Sequence, residues 1–257
     1  MMTAIAAERI KLMTIRSPYW CLGLAVLFSI GVTSLFALLF SSISDVEGAS
    51  VPSEGDIDGV ALSVLLVGLT QFAVTVLMIM AVLGITSEYR FSTIRATFLA
   101  TPNRTIVLVA KALVYIALTF VAMLILTLVC LAILKAGIGG FSFGDAAVIR
   151  HIWGVPLFAS LCVLLSIGVG ALVRQSAGAI SIVLVWMWVL ETILSAVPKV
   201  RDWAGPLLPF LNGTRFLSGG SPGDGFHWGP YVSLIYFAAW AVVIFVAGVI
   251  VTNRRDA

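Results

Sequence analysis

Six long apolar runs, at about 19–41, 60–86, 105–134, 154–173, 177–197 and 229–252, dominate the chain and hold almost no charge. A helix rising about 1.5 Å per residue needs about 20 such residues to cross a hydrocarbon core about 30 Å thick. Within that core each backbone N–H and C=O has to be satisfied inside the segment itself, which runs of this length achieve as α-helices. The pattern therefore predicts an all-α integral membrane protein with six transmembrane helices, built as a single transmembrane domain over residues 1–257. The composition agrees: 61% of residues are apolar and 11% charged, where a soluble domain carries about a quarter charged. A net charge of +3 is too small to point to nucleic acid. The lipid bilayer is the expected surrounding.

Six spans place both termini on one side. If that side is the cytoplasm, it holds Arg9, Lys11, Arg16, Arg90, Arg95, Arg104, Lys111, Arg174, Arg254 and Arg255, ten of the fifteen basic residues. The opposite side receives eight of the twelve acids, five of them in the 42–59 loop, which has no Lys or Arg. This bias follows the positive-inside rule and predicts cytoplasmic N- and C-termini. Residues 1–16 combine Glu8, Arg9, Lys11 and Arg16 with Ala6, Ile10 and Met13 at helical spacing, the pattern of an N-terminal interfacial helix on the inner leaflet. Ser17-Pro18 breaks that helix, and Tyr19-Trp20 forms an aromatic anchor. The basic flank and apolar run resemble a signal peptide. The run is too long for one, and no small-residue cleavage site ends it, so an uncleaved first span is expected.

Lys111, near the start of the third span, is expected to snorkel to the inner headgroups. Arg150, His151 and Trp153 fall in the loop before the fourth span, and Ser166, Gly168 and Gly170 within that span are small enough for close helix approach. Arg174-Gln175-Ser176 is a tight turn. The 198–228 segment, rich in Trp, Leu and Phe but broken by Pro and Gly, is too apolar to be solvated and too interrupted to span. It reads as an external re-entrant or interfacial excursion between helices 5 and 6.

One internal loop is strongly basic. In Ser87–Arg104, Phe91, Ile94 and Phe98 share one helical face while Glu88, Ser92 and Arg95 share another, until Thr101-Pro102-Asn103 stops the helix. Two readings stay open from the pattern: a solvated loop whose arginines set topology, or a short helix presented to a soluble partner.

Chemical motifs are sparse. No phosphate loop of the GxxxxGK[ST] type occurs, so the chain is not expected to hydrolyse ATP by itself, and neither HExxH nor GxSxG is present. Catalytic residues and metal ligands are expected to be absent. Cys21, Cys130 and Cys162 are scattered through apolar runs and suit buried small hydrophobes. His151 and His227 stand alone near tryptophans. Glu191 is the only acid inside a span, about 10 Å from the outer end of the fifth helix. A charge there needs a partner, neutralisation or a wet cavity. It reads either as part of a translocation path or gate, with Arg215, Lys199 or Arg201 as partner, or as a structural helix contact. Thr70, Gln71 and Thr75 in the second span divide in the same way.

The N-terminal Glu8-Arg9-Ile10-Lys11-Leu12 helix, the block Gly84-Ile85-Thr86-Ser87-Glu88-Tyr89-Arg90, then Thr93-Ile94-Arg95, Thr101-Pro102-Asn103-Arg104 and Ala110-Lys111, set among six spans, resemble the permease subunits of ABC-2 type exporters. The resemblance is closest to the short bacterial permeases and extends over essentially the whole chain, although only the 84–111 block is motif-like. Ser92 stands where such permeases often have glycine. The resemblance implies half of an ATP-driven exporter of a lipid-like, drug-like or other amphipathic substrate in the bacterial inner membrane. It implies two cytoplasmic ABC ATPase subunits carrying the ATP and Mg, no cofactor on this chain, and a second permease, identical or homologous. Glu88, Tyr89, Arg90, Phe91, Ile94, Arg95 and Phe98 would then belong to a cytoplasmic coupling helix between helices 2 and 3 that docks on the ATPase. A non-transporting sensor or regulatory module docking the same kind of ATPase is the alternative.

Overall fold

The computed structural model describes residues 2–44, 58–91, 103–197, 203–220 and 226–255. Among these every regular element is helical, and six helices are long and apolar enough to cross a membrane. The chain is a multi-pass helical membrane protein.

A short helix α1 (Met2–Thr14) precedes the first span, α2 (Arg16–Ser44). Pro18 lies in the first turn of α2, where its missing N–H is no loss. The helix break therefore falls at Ile15, before the Ser17-Pro18 pair expected to make it. The second span is assembled from three pieces. Asp58 starts α3 (Gly59–Leu65) by accepting the Ala61 N–H at 2.8 Å, a π-helical segment covers Gly68–Ala73, and α4 runs over Val74–Arg90. The third span, α5 (Arg104–Gly137), is the longest, and Asn103 caps it by accepting the Ile106 N–H. Positive φ angles at Gly139 and Gly140 turn the chain into α6 (Ala146–Val173).

The α6 helix starts eight residues before the expected boundary. Asp145 and Ser142 form a closed turn, with Ser142 N–H on Asp145 Oδ2 at 2.6 Å, that launches it early. Arg150, His151 and Trp153 are therefore helical, and His151 is fully buried instead of standing in an external loop. Arg174, with φ 60°, makes the tight turn into α7 (Ser176–Leu184). That span continues as a π-helical segment, Val185–Leu190, and then α8 (Glu191–Ala196). A 3₁₀ turn at Gly205–Leu207 and α9 (Pro209–Ser218) precede the sixth span, α10 (Pro230–Arg255).

The most buried span is α6, and the second, third, fifth and sixth spans pack on it, while α2 lies against the second and third. Its broadest partner is α10, and the reason is local. A Cβ on Gly168 would sit 2.7 Å from the Phe245 backbone nitrogen, and one on Gly248 would sit 2.8 Å from the Gly168 carbonyl oxygen. Two helices thus cross backbone to backbone, the close approach expected of small residues in a span. Phe158, Cys162 and Val163 of α6 join Leu77, Met78, Phe210 and Phe237 in the larger core cluster. Buried hydroxyls mostly return to their own helix: Ser29, Thr127, Ser160 and Ser166 each donate to the carbonyl four residues back. The outer helices expose Leu27, Leu38, Ile182, Ile193 and Val243, as lipid contact favours. Cys130 and Cys162 are buried and Cys21 is half-buried, all three as free thiols.

Candidate functional site

Two polar arrangements stand out in this apolar bundle. The first gathers charge from three helices. Lys111, on α5, lies 2.5 Å from Glu8 Oε2 on α1 and 3.0 Å from Glu88 Oε1 at the end of α4. Lys11 lies 2.8 Å from Glu8 Oε1 and 3.0 Å from the same Glu88 oxygen. Two acids and two bases thus form a neutral four-charge cluster. The side chains of Lys111, Glu8 and Glu88 are 3%, 4% and 10% exposed, against 37% for Lys11. Burial raises the Glu8 pKa, but Lys111 and Lys11 outweigh it and hold the carboxyl below its usual value. A buried charge that lost its partner would be expensive, so the cluster demands that α1, α4 and α5 keep this geometry.

The arrangement corrects one sequence expectation and fixes where the residues of two others lie. Lys111 does not reach toward headgroups but is buried between two carboxylates. The buried residues of α1 are Glu8 and Leu12, while Ile10 and Met13 are largely exposed, so the helix turns an acid inward and apolar side chains outward. Glu88 and Tyr89, expected on a docking face, are packed within the bundle. The Tyr89 hydroxyl pairs with Thr252 Oγ1 at 3.2 Å, and its ring lies 4.9 Å from the Arg174 guanidinium. Arg90 and Phe91 are exposed, with the guanidinium 5.6 Å from the ring centroid. Ile94, Arg95 and Phe98 lie outside the described residues. Further ties hold this end together: Ser176 to Thr86 at 2.8 Å, Asn253 to Thr105 at 3.0 Å and Arg104 to the Thr252 carbonyl at 3.5 Å. Both ends of the chain, the Arg174 turn and the roots of the 91–103 connection therefore meet at one end of the bundle.

The second arrangement surrounds Glu191. Leu208, at the N-cap of α9, has no side chain able to cap, and Pro209 at the first position has no N–H. The Glu191 carboxylate supplies the cap from a different helix: Oε1 accepts the Phe210 N–H at 3.0 Å and Oε2 the Leu211 N–H at 2.6 Å. A carboxylate at a helix N-terminus also complements the positive end of the dipole. Arg215, expected as its partner, donates instead to Ser233 Oγ at 2.9 Å and lies 4.2 Å from the Phe226 ring. Lys199 and Arg201 lie outside the described residues.

Glu191 also lines a cavity of about 90 Å³ together with Gln71, Met187, Thr192, Ser195 and Thr214. The two π-helical segments meet beside it. Phe72 of one lies 5.4 Å from the Trp188 ring of the other, and Trp188 Nε1 donates to Thr75 Oγ1 at 3.0 Å. Thr75 in turn donates to the Gln71 carbonyl. Segments of this kind carry an unpaired backbone register and concentrate where helices bend or work. Of the four polar span residues singled out from sequence, Gln71 and Glu191 line one cavity, and Thr75 is tied to it only through its bond to the Gln71 carbonyl. Thr70 is buried and bonded to its own Leu66 carbonyl. The charge cluster escaped sequence reasoning because its members are separated by up to 103 residues. A signal existed in Lys111, a second ionisable residue within a span.

Compared with known proteins, the chain matches no family model and no curated protein.

Proposed function

We propose that the chain is the permease half of an ATP-driven exporter of the ABC-2 type, in the plasma membrane with both termini cytoplasmic. In this reading two cytoplasmic ATPase subunits bind ATP and Mg and dock on the connection that begins at Arg90, and a second permease completes the pathway for an amphipathic substrate. The observation that carries it is the four-charge cluster. Glu88 and Lys111 lie on the two helices that flank the basic connection, and their ion pair, with Glu8 and Lys11, fastens both roots to α1. A load applied to the connection would be passed to α4, α5 and α1 together instead of being lost in a loose loop. Arg90 and Phe91, exposed immediately beyond this fastening, supply a cation and an aromatic anchor for a partner groove.

The same reading makes α1 an interfacial helix whose outward Ile10 and Met13 enter the leaflet. It makes the 198–228 segment, packed through α9 against α10 and α6, the external re-entrant element. Glu191, Gln71 and Thr75 become polar elements of the pathway or its gate. Two packed arrangements of these helices, biased by ATP binding on the partner, would move substrate across.

The test is affinity purification of the tagged chain from gently solubilised native membranes, with mass spectrometry of what co-purifies. An ATPase with a phosphate loop at equal stoichiometry, lost on Phe91→Ala with Phe98→Ala while the spans stay folded, supports the reading. Recovery without any ATPase overturns it.

A further inference from the structure

Beside the charge cluster, α1, the first turns of α2 and the N-terminal half of α5 line a groove of about 650 Å³, within the range of about 300–1,000 Å³ typical of small-molecule sites. Its walls are aliphatic, with Leu12, Met13, Leu22, Leu113 and Leu118 among them, and Arg9 is the charged residue that lines it. Tyr19 closes one side by donating its hydroxyl to the Met13 carbonyl at 3.0 Å. The nearby acids Glu8 and Glu88 do not line the groove and are engaged by Lys11 and Lys111. An apolar slot with one arginine and no carboxylate among its lining residues complements an anionic amphiphile. Arginine grips phosphate through two parallel N–H bonds, and basic pockets between membrane helices hold anionic headgroups.

We propose that this groove binds one acyl chain of an anionic phospholipid from the surrounding leaflet, with Arg9 on its phosphate. The lipid would wedge between α1 and α5 beside the ion pairs, so that α1 is held to α5 by both charge and lipid. This inference requires α1 to lie at the bilayer interface but not that the protein transports anything.

The full-length chain is reconstituted in phosphatidylcholine nanodiscs containing a small fraction of spin-labelled phosphatidylglycerol or, separately, spin-labelled phosphatidylcholine. The immobilised fraction is read by electron paramagnetic resonance. Wild type is expected to immobilise phosphatidylglycerol in preference to phosphatidylcholine. Arg9→Gln should reduce that preference roughly fivefold, the effect of one basic residue at an anionic surface. Ala117→Trp, which fills the groove, should reduce immobilisation of phosphatidylglycerol with Arg9 intact. If Ala117→Trp does not fold, as judged by gel filtration and tryptophan emission, Ala117→Leu takes its place. Equal immobilisation of the two lipids by wild type, or an unchanged preference in Arg9→Gln, overturns the headgroup assignment. An unchanged signal in the filled variant overturns the groove. Neither result depends on whether an ATPase co-purifies, so failure here is separable from failure of the exporter reading.

Discussion

Replacing Lys111 with methionine keeps the length and apolar volume of the side chain but removes the charge shared by Glu8 and Glu88. At an effective dielectric of about 20, contacts at 2.5 and 3.0 Å are worth about 6 kcal/mol each before desolvation. Desolvation of three buried groups cancels much of this in the native protein. Removing one partner nevertheless leaves two buried carboxylates facing each other, and such losses cost about 3–5 kcal/mol. Lys11 touches the same two carboxylates, but its side chain is 37% exposed, so water replaces it and Lys11→Met should cost under about 1 kcal/mol. Balance can be restored by a second change. Lys111→Met combined with Glu8→Met leaves Glu88 paired with Lys11, and should recover more than half of the single-mutant loss. The assay is reversible SDS unfolding in mixed micelles, followed by fluorescence of the seven tryptophans. Equal losses for Lys111→Met and Lys11→Met, or a double mutant as unstable as the sum of its parts, would refute the argument that burial decides which cation matters.

Three further outcomes are expected. Because the Glu8 carboxyl is held below its ordinary value, its contribution to stability is complete above the unfolded-state pKa and is lost as pH falls through the lower folded value. Stability measured by unfolding from pH 7 down to 3 should fall in the acid range below about 4.5, and Glu8→Gln should flatten that slope; an identical slope would refute the assignment. Glu191→Gln retains one acceptor for the α9 amides, whereas Glu191→Leu leaves two N–H groups uncapped, so the leucine variant should lose about 1–3 kcal/mol more. Parity of the two variants in the same unfolding assay would show that the cap is energetically idle. Gly168→Ala pushes a methyl group against the α10 backbone and should destabilise by about 1–3 kcal/mol. Gly23→Ala, whose Cβ meets nothing within 4 Å, serves as its control, and an equal effect at both sites would dismiss the close-crossing argument.

Much of the architecture was legible because the cost of an unsatisfied peptide group in lipid is local. Six apolar runs had to become six helices, and an even number of spans had to bring the two termini to one end. Gly168 and its neighbours announced a close crossing in the same way, since a missing side chain matters wherever the partner lies. Tertiary structure alone decided which charges pair. Periodicity gave an interfacial helix for residues 1–16 but no partner for its charges, and Glu8 turns inward to Lys111, 103 residues away, which needs a carboxylate in an apolar interior. Glu191 could be recognised from sequence as an acid requiring a partner. That the partner is a pair of backbone amides, not Arg215, depends on where α9 begins and on a leucine at a cap it cannot fill. Local hydrophobic pattern states what a segment must avoid, and only the packed bundle supplies the group that satisfies it.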